Sequence, residues 1–269
     1  MATQTVTGGR AEVAGRTQRR DRWWGPPTLT ATVLTAFVAY STYAAFAGRD
    51  FFYDDHHTHA PLLSPFYSPC LSSITCRVDG VNHGLNWFAM PWSAALIVLI
   101  FPLGFRVSCY YYRKAYYRAF WASPPACAVA EPHRRYTGES RFPLIIQNTH
   151  RYWFYIALIF AGVLTWDAVD SYHGPHGWGF MTVGSLVLTI NAVLICLYTL
   201  SCHSCRHIVG GRLNNFSRHP LRYRYWTLVS KLNAHHMLLA WLSLVWVAVA
   251  DGYIRLLASG VIPTDPRLF

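Results

Sequence analysis

The sequence has 269 residues, of which 53% are hydrophobic and only 13% are charged, and its formal net charge is +11. A soluble domain of this length carries about a quarter charged residues, so the composition excludes an ordinary soluble domain and indicates a membrane protein. The polar, arginine-bearing segment before residue 28 shows no small-residue cleavage site. The apolar run that follows is therefore expected to be retained as a first span.

Five apolar runs, taken in chain order, each approach or exceed the roughly 20 residues that a helix needs to cross a bilayer. Inside lipid the backbone must satisfy its own hydrogen bonds, so each run is predicted to be a helix. The predicted spans are residues 28–47, 85–105, 144–168, 180–200 and 232–254. We therefore predict an all-α, integral membrane five-helix bundle, with residues 1–269 forming a single membrane-anchor domain.

The basic residues concentrate on one side of the predicted spans. All but four of the 23 Lys and Arg residues fall in the N-terminal tail, in residues 106–151 or in residues 206–231. Because Lys and Arg are retained in cytoplasmic loops, we predict a cytoplasmic N-terminus and an outside C-terminus. The expected location is the cell inner (plasma) membrane, which the chain crosses several times.

The loops between the spans differ in character. The outside loop, residues 48–84, holds Cys70 and Cys76, which can form a disulfide on the oxidising side of a membrane; two unpaired thiols are the alternative. The inside segments 106–143 and 201–231 are long and basic but contain no catalytic domain. They are predicted to be cytoplasmic docking segments for soluble partners.

Soft metal ligands cluster where predicted spans meet the inside segments. Cys202 and Cys205 are three residues apart, which places both thiols on one face of a helix, and the CxxC spacing is typical of a metal or redox pair. His150 and His236 begin other spans at a similar depth. Two thiolates and two imidazoles match zinc and equally a Rieske-type cluster, so these four residues are the predicted metal ligands.

Other residues compete for the same role. His203 and His207 lie closer to the two cysteines in sequence. His235 competes with His236, because neighbours on a helix point about 100° apart and only one of them can face the core. Cys109, at the inside end of the second predicted span, can replace either thiol of the pair.

Three stretches resemble a known family: Cys109 to Arg118, Ser201 to His207 and Lys231 to His236. They are similar to the membrane anchor of the actinobacterial succinate dehydrogenase 1, a haem-free respiratory complex II. The resemblance covers most of the chain from the second predicted span onward. It carries over the pair Cys202 and Cys205 and the histidines at the starts of spans as ligands.

The resemblance implies a function and a set of partners. A flavoprotein subunit oxidises succinate, and an iron–sulfur subunit docks on the cytoplasmic face. A Rieske-type [2Fe-2S] cluster within the membrane anchor takes the place of haem, and a quinone site lies nearby. This chain has no nucleotide-binding glycine motif, so its expected part in the enzyme is electron transfer to quinone, with no catalytic residue for succinate chemistry. Membrane lipid and a higher oligomer of the complex are further expected partners, and no nucleic acid is expected.

A quinone site requires a flat apolar slot with hydrogen-bond donors at each carbonyl. The mixture of aromatic and polar side chains after His150 can supply both. The predicted quinone-binding residues are Arg151, Tyr152, Trp153, Tyr112 and Ser230.

Two alternatives use the same residues differently. His150 and His236 can ligate one haem b between them in a complex II-type anchor, which leaves the CxxC pair without a role. A zinc-stabilised membrane scaffold or transporter without redox activity is the other alternative.

Overall fold

The protein is predominantly helical, and the predicted all-α fold class is confirmed. The computed structural model describes residues 17, 19–54, 61–71, 77–78, 81–82, 92–132, 140–142, 144–174 and 177–268. Strands in these ranges are three antiparallel pairs of two residues each: β1 (Phe52–Tyr53) with β2 (Leu62–Leu63), β3 (Arg77–Val78) with β4 (Val81–Asn82), and β5 (His173–Gly174) with β6 (Gly177–Trp178).

Most of the described residues lie in α-helices. In chain order they are α1 (Gly25–Ala47), α2 (Ala95–Val98), α3 (Ile100–Ser108), α4 (Tyr110–Phe120), α5 (His150–Asp170), α6 (Val183–Leu200), α7 (His203–Gly210), α8 (Pro220–Ala234) and α9 (His236–Ala258). In the part of the chain that the structure describes, two 3₁₀ helices, Leu144–Thr149 and Phe216–Arg218, precede α5 and α8.

Within the described residues, four helical stretches are long and apolar enough to cross a membrane: α1, α5 with the 3₁₀ helix before it, α6 and α9. A fifth span is reached only if residues 95–108 and α4 count as one, and this pair bends by 78°. Residues 85–91, where the second predicted span begins, lie outside the described residues. The last span begins at His236 rather than at residue 232, because the chain breaks at His235 between α8 and α9.

The chain divides into two compact units. The first comprises Met1–Val38 and Arg106–Thr149, and the second comprises Ala39–Phe105 and His150–Phe269. In the first unit, Arg113 of α4 makes cation–π contacts with two tyrosines of the same helix. Its guanidinium lies 5.3 Å from the ring centre of Tyr110 and 5.5 Å from that of Tyr117. Cation–π pairs of this kind contribute about 0.5–1 kcal/mol each at exposed sites.

In the second unit, α6 packs between α5 and α9. Leu188 and Ala192 of α6 share a buried cluster with Ile254 and Leu257 of α9. The start of α6 is defined by a capping box, since Thr182 Oγ1 accepts from the Ser185 backbone N–H at 3.1 Å and Ser185 Oγ accepts from the Thr182 N–H at 2.8 Å. This exchange satisfies two donors that the first turn of a helix leaves unpaired.

A buried ion pair ties the C-terminal half of α9 to α1. Asp251 is fully buried and accepts from Arg255 Nε at 2.8 Å, from the Tyr40 hydroxyl and from the Ser64 hydroxyl. Arg255 also donates to the carbonyls of Ala44 and Arg49. A buried charge is tolerated only when it is paired and hydrogen-bonded, and this network meets that condition.

The loop after α1 contains a disulfide. Cys70 is disulfide-bonded and buried, whereas Cys109, Cys127, Cys196, Cys202 and Cys205 are not in disulfides. Cys76 lies outside the described residues.

The short helix α7 is held by α8. An added Cβ on Gly210 would lie 2.2 Å from the Trp226 ring, so only glycine lets that ring pack on the end of α7. Arg206 stacks on the same ring at 5.0 Å, and Arg222 Nε donates to the Val209 carbonyl at 3.0 Å. The Arg222 bond caps the C-terminus of α7, so the segment that carries both CxxC thiols is fixed in place.

Candidate metal centre

Cys202 lies at the break between α6 and α7. Its backbone is extended, with φ −61° and ψ 144°, and its Sγ accepts a hydrogen bond from the Ser204 backbone N–H at 3.3 Å. The thiol therefore acts as the N-cap of α7, and the residue is only 1% exposed. Because a helix N-terminus favours negative charge, this position suits a thiolate ligand.

His150 reaches Cys202 from another helix. It is the first residue of α5, and its Nε2 lies 3.1 Å from Cys202 Sγ. Its ring stacks on Phe105, with ring centres 4.8 Å apart and planes within 6° of parallel. The stacking holds the imidazole plane, so the nitrogen that faces the sulfur is oriented by packing.

His236 is the first residue of α9 and is 2% exposed. Its Nδ1 lies 2.7 Å from Ser201 Oγ. The ring stacks on Tyr198 of α6, with ring centres 5.1 Å apart and planes within 12°. Both predicted histidine ligands are thus held by an aromatic ring and by a hydrogen bond.

Cys205 is the second thiol of the pair. It is 8% exposed and lies within α7, three residues after Cys202. Burial raises the pKa of the Cys205 thiol above its ordinary value, because a low dielectric penalises the thiolate. A metal would have to displace this proton on binding.

Most of the residues that compete for the ligand role are exposed, whereas the predicted ligands are buried or half-buried. His203, His207 and His235 are exposed, and His235 Nδ1 lies 3.2 Å from the Lys231 carbonyl. Cys109 is 1% exposed and precedes α4 as its N-cap residue in the first compact unit. Cys109 is therefore the buried residue among the four competing ones, and its substitution should be compared with that of Cys205.

The donor set fits a mixed cysteine and histidine centre in its chemistry. Across the described ranges, no three His, Cys, Asp or Glu side chains are grouped so that they could hold a metal ion. The structure nevertheless pairs one imidazole with one thiol and buries a second imidazole and a second thiol. Thiolate sulfur and imidazole nitrogen are the ligands of zinc and of Rieske-type clusters alike.

Three of the predicted quinone residues follow His150 directly on α5. Arg151 is exposed and Tyr152 is 69% exposed, so both present their side chains at the surface. Trp153 is half-buried and packs on α3, where an added Cβ on Gly104 would lie 2.6 Å from the indole.

The other two predicted quinone residues lie elsewhere. Tyr112 is buried in α4, and its hydroxyl accepts from Arg106. Ser230 lies on α8, and its Oγ is buried without a hydrogen-bond partner among the described residues. A buried hydroxyl without a hydrogen-bond partner destabilises the fold. Among the predicted quinone residues, Ser230 is therefore the one whose hydroxyl would gain a hydrogen bond from a bound ligand.

An apolar groove of about 310 Å³ runs between α5 and α6. Thr165, Ala168, Thr189, Ala192 and Cys196 are among the residues that line it, and none of the five predicted quinone residues does. None of the four predicted metal ligands lines this groove either.

Sequence reasoning missed the residues that position the histidines. Phe105 and Tyr198 lie in apolar runs. Nothing in the sequence of such a run distinguishes an aromatic residue that orients a histidine from any other aromatic residue of the span. Ser201 precedes the CxxC pair, and its contact with His236 spans 35 positions, so no local pattern predicts it.

The fold and these side chains define a class: a multi-span helical membrane protein that carries buried thiols and imidazoles where its helices end or begin. The family model described as actinobacterial succinate dehydrogenase subunit SdhC matches residues 25–260. The chain therefore belongs to this family and is the membrane anchor subunit of a succinate dehydrogenase complex, an oxidoreductase.

A solved structure supports the same assignment. The chain is similar to a chain of the Mycobacterium smegmatis Sdh1 complex in the apo form, with 50% sequence identity and a TM-score of 0.86. The similarity covers 100% of this chain and 99% of the other. A search of curated proteins found no significant match.

Proposed function

We propose that this anchor subunit passes electrons, one at a time, from a docked iron–sulfur subunit to quinone. Oxidation of succinate to fumarate releases two electrons and two protons, and reduction of quinone to quinol consumes the same number. The observation that carries the proposal is the 3.1 Å contact between His150 Nε2 and Cys202 Sγ, which joins two helices through a pair of soft ligands.

Four residues would hold the cofactor: Cys202, Cys205, His150 and His236. When bound there, a Rieske-type [2Fe-2S] group supplies a one-electron carrier. The backbone N–H of Ser204 stabilises negative charge on Cys202 Sγ. Phe105 and Tyr198 hold the two imidazole planes, which limits the rearrangement that accompanies a change of charge.

The orientation follows from the distribution of basic residues. We place the N-terminus and segments 106–143 and 201–231 in the cytoplasm, the C-terminus outside, and the whole chain in the plasma membrane as one anchor domain. The exposed residues of α8 include Leu221, Tyr225 and Leu228, which are 56–62% exposed, beside Arg224 and Lys231. Such a surface suits a soluble partner with apolar and acidic groups, in this case the iron–sulfur subunit that carries electrons from the flavoprotein.

Quinone would bind near the start of α5 and receive hydrogen bonds from this chain. Arg151 and Tyr152 offer exposed donors immediately after His150, and Trp153 offers an aromatic face. Ser230 contributes a buried hydroxyl that no described residue engages. Tyr112 completes the predicted set.

The cofactor is tested on the purified complex by iron and acid-labile sulfide assays together with low-temperature electron paramagnetic resonance after reduction. His236→Ala is compared with His235→Ala, since the two histidines are adjacent but only His236 is buried. We expect His236→Ala to abolish the cluster signal and quinone reduction while succinate still reduces an artificial dye. His235→Ala should retain the cluster signal, quinone reduction and dye reduction.

Two other outcomes would replace the proposal. A sharp α band in the reduced visible spectrum that His150→Ala and His236→Ala both abolish would show a bis-histidine haem b. Zinc in stoichiometric amount, without a cluster signal assignable to this subunit, would show a structural metal site and leave the electron-transfer role without support.

A further inference from the structure

Ser201 occupies a fully buried position between a carbonyl and an imidazole. Its Oγ lies 2.9 Å from the Tyr198 carbonyl oxygen and 2.7 Å from His236 Nδ1, and the residue is 0% exposed. Its own carbonyl accepts from Asn233 Nδ2 at 2.8 Å, which ties this turn to the end of α8. The Ser201 hydroxyl therefore contacts α6 through the Tyr198 carbonyl and α9 through His236.

A hydroxyl has one hydrogen to donate and two lone pairs to accept with. At this helix end the Ser201 N–H bonds to the Leu197 carbonyl and the Cys202 N–H bonds to the Thr199 carbonyl. The Ser201 hydroxyl is thus the donor that serves the Tyr198 carbonyl, which can only accept. With that hydrogen used, Ser201 Oγ is left to accept from His236, which would place the ring proton on His236 Nδ1.

We propose that Ser201 is a positioning residue that fixes His236 in the Nδ1–H tautomer, so that Nε2 is the nitrogen that binds iron. The inference rests on the proposed function, because it assigns one atom of the same centre. In metal-bound histidines the hydrogen bond made by one ring nitrogen sets which nitrogen binds the metal and raises its donor strength. Tyr198 adds the stacking that holds the ring plane.

The atom assignment is tested in the wild-type complex by isotope labelling. The complex is prepared twice, with histidine labelled with nitrogen-15 at Nε2 and with histidine labelled at Nδ1, and the reduced cluster is measured by pulsed electron paramagnetic resonance. His150 also presents Nε2 to a cysteine sulfur, so we expect strong coupling from the Nε2 label alone. Strong coupling from any Nδ1-labelled histidine overturns the proposal.

The role of the hydroxyl is tested by Ser201→Ala with Ser201→Thr as the conservative variant. Loss of the hydrogen bond weakens donation from Nε2 to iron, so we expect the midpoint potential of the cluster to rise in Ser201→Ala at unchanged iron and acid-labile sulfide content. Ser201→Thr should restore it. A potential that does not move in Ser201→Ala overturns the proposal.

Ser259 offers a matched control. Its Oγ makes the same bond to a carbonyl three residues earlier, Leu256 at 3.3 Å, but at the exposed end of α9. Ser259→Ala should leave the potential unchanged. A shift equal to that of Ser201→Ala would mean that loss of any such serine bond perturbs the centre, which overturns the specific role.

Failure of this inference is distinguishable from failure of the proposed function. A cluster signal with iron bound through Nδ1 refutes only the role of Ser201. A complex without a cluster signal refutes the electron-transfer proposal and the iron bond together. In that case nitrogen-15 magic-angle-spinning NMR of the His236 ring determines its tautomer independently of the cluster. A proton on Nε2 would also refute the role of Ser201.

Discussion

His150 Nε2 lies 3.1 Å from Cys202 Sγ, although 52 positions separate the two residues in the chain. The contact joins the start of α5 to the break between α6 and α7. Cys202 lies at the break between α6 and α7, where its backbone is extended, and His150 is the first residue of α5, directly after a 3₁₀ helix. The structure thus brings together a thiol and an imidazole that the sequence predicts to act jointly.

Cys202→Ser should remove the sulfur from this pair while preserving the N-cap, because serine is a good N-cap residue. We expect the cluster signal to be lost and quinone reduction to fall at least ~10-fold, since even outer-shell partners of a metal are worth ~10–100-fold. Succinate-dependent dye reduction measures the integrity of the other subunits. Cys127→Ser, at an exposed cysteine, is the control, and equal loss in both variants would argue against a ligand role for Cys202.

The second thiol ligand is decided by comparing Cys205→Ser with Cys109→Ser. Both cysteines are buried, so both substitutions carry a similar packing cost. We expect Cys205→Ser to lose iron and acid-labile sulfide and Cys109→Ser to retain them. The opposite pattern would transfer the role to Cys109, and retention in both would leave Cys202 without a cysteine partner.

The spans were predictable because lipid permits few backbone structures, so a long apolar run is nearly sufficient to predict a helix. The connections were not predictable in the same way. The bend at residue 109 and the separation of α8 from α9 at His235 lie in mixed basic and aromatic sequence, which carries no signal from lipid. Their positions depend on packing between distant segments, as the fit of Trp226 on Gly210 illustrates.

At the candidate metal centre, residue type predicted which side chains could act as ligands, but it did not predict the residues that orient them. Adjacent His235 and His236 are equivalent as a pattern, and only the break before α9 buries one and exposes the other. Ser201 makes its contact with His236 because α6 ends where α9 begins. The predicted ligand set itself stays a prediction until the cofactor is measured.

Gly104→Ala should displace the Trp153 ring. The new Cβ would lie 2.6 Å from the indole, and overpacking of this kind costs about 1–3 kcal/mol. Because Trp153 is a predicted quinone residue, the KM for quinone should rise along with a lower thermal midpoint of the complex. Gly162→Ala on α5, where an added Cβ meets nothing within 4 Å, should be neutral in both measurements; similar losses there would point to a general helix effect.

Asp251→Ala should leave the Arg255 guanidinium buried without its carboxylate. Removing one member of a buried ion pair costs ~3–5 kcal/mol, so we expect a large drop in the unfolding free energy of the complex in denaturant. Asp21→Ala provides the comparison, because its pair with Arg19 is exposed and exposed pairs contribute little. A small effect of Asp251→Ala would mean that Arg255 finds other acceptors besides the Ala44 and Arg49 carbonyls.

Ser230→Ala tests the buried hydroxyl that no described residue satisfies. If quinone accepts a hydrogen bond from it, the KM for a soluble quinone should rise ~2–10-fold, the equivalent of one neutral hydrogen bond of about 0.5–1.5 kcal/mol. Dye reduction should be unaffected, because it does not use the quinone site. The outcome that contradicts the assignment is a KM unchanged or lowered, since removal of an unsatisfied hydroxyl without a ligand would only stabilise the helix. Thr227→Ala on the same helix is the control, because its hydroxyl already donates to the Tyr223 carbonyl at 2.9 Å and should leave the KM for quinone at its wild-type value.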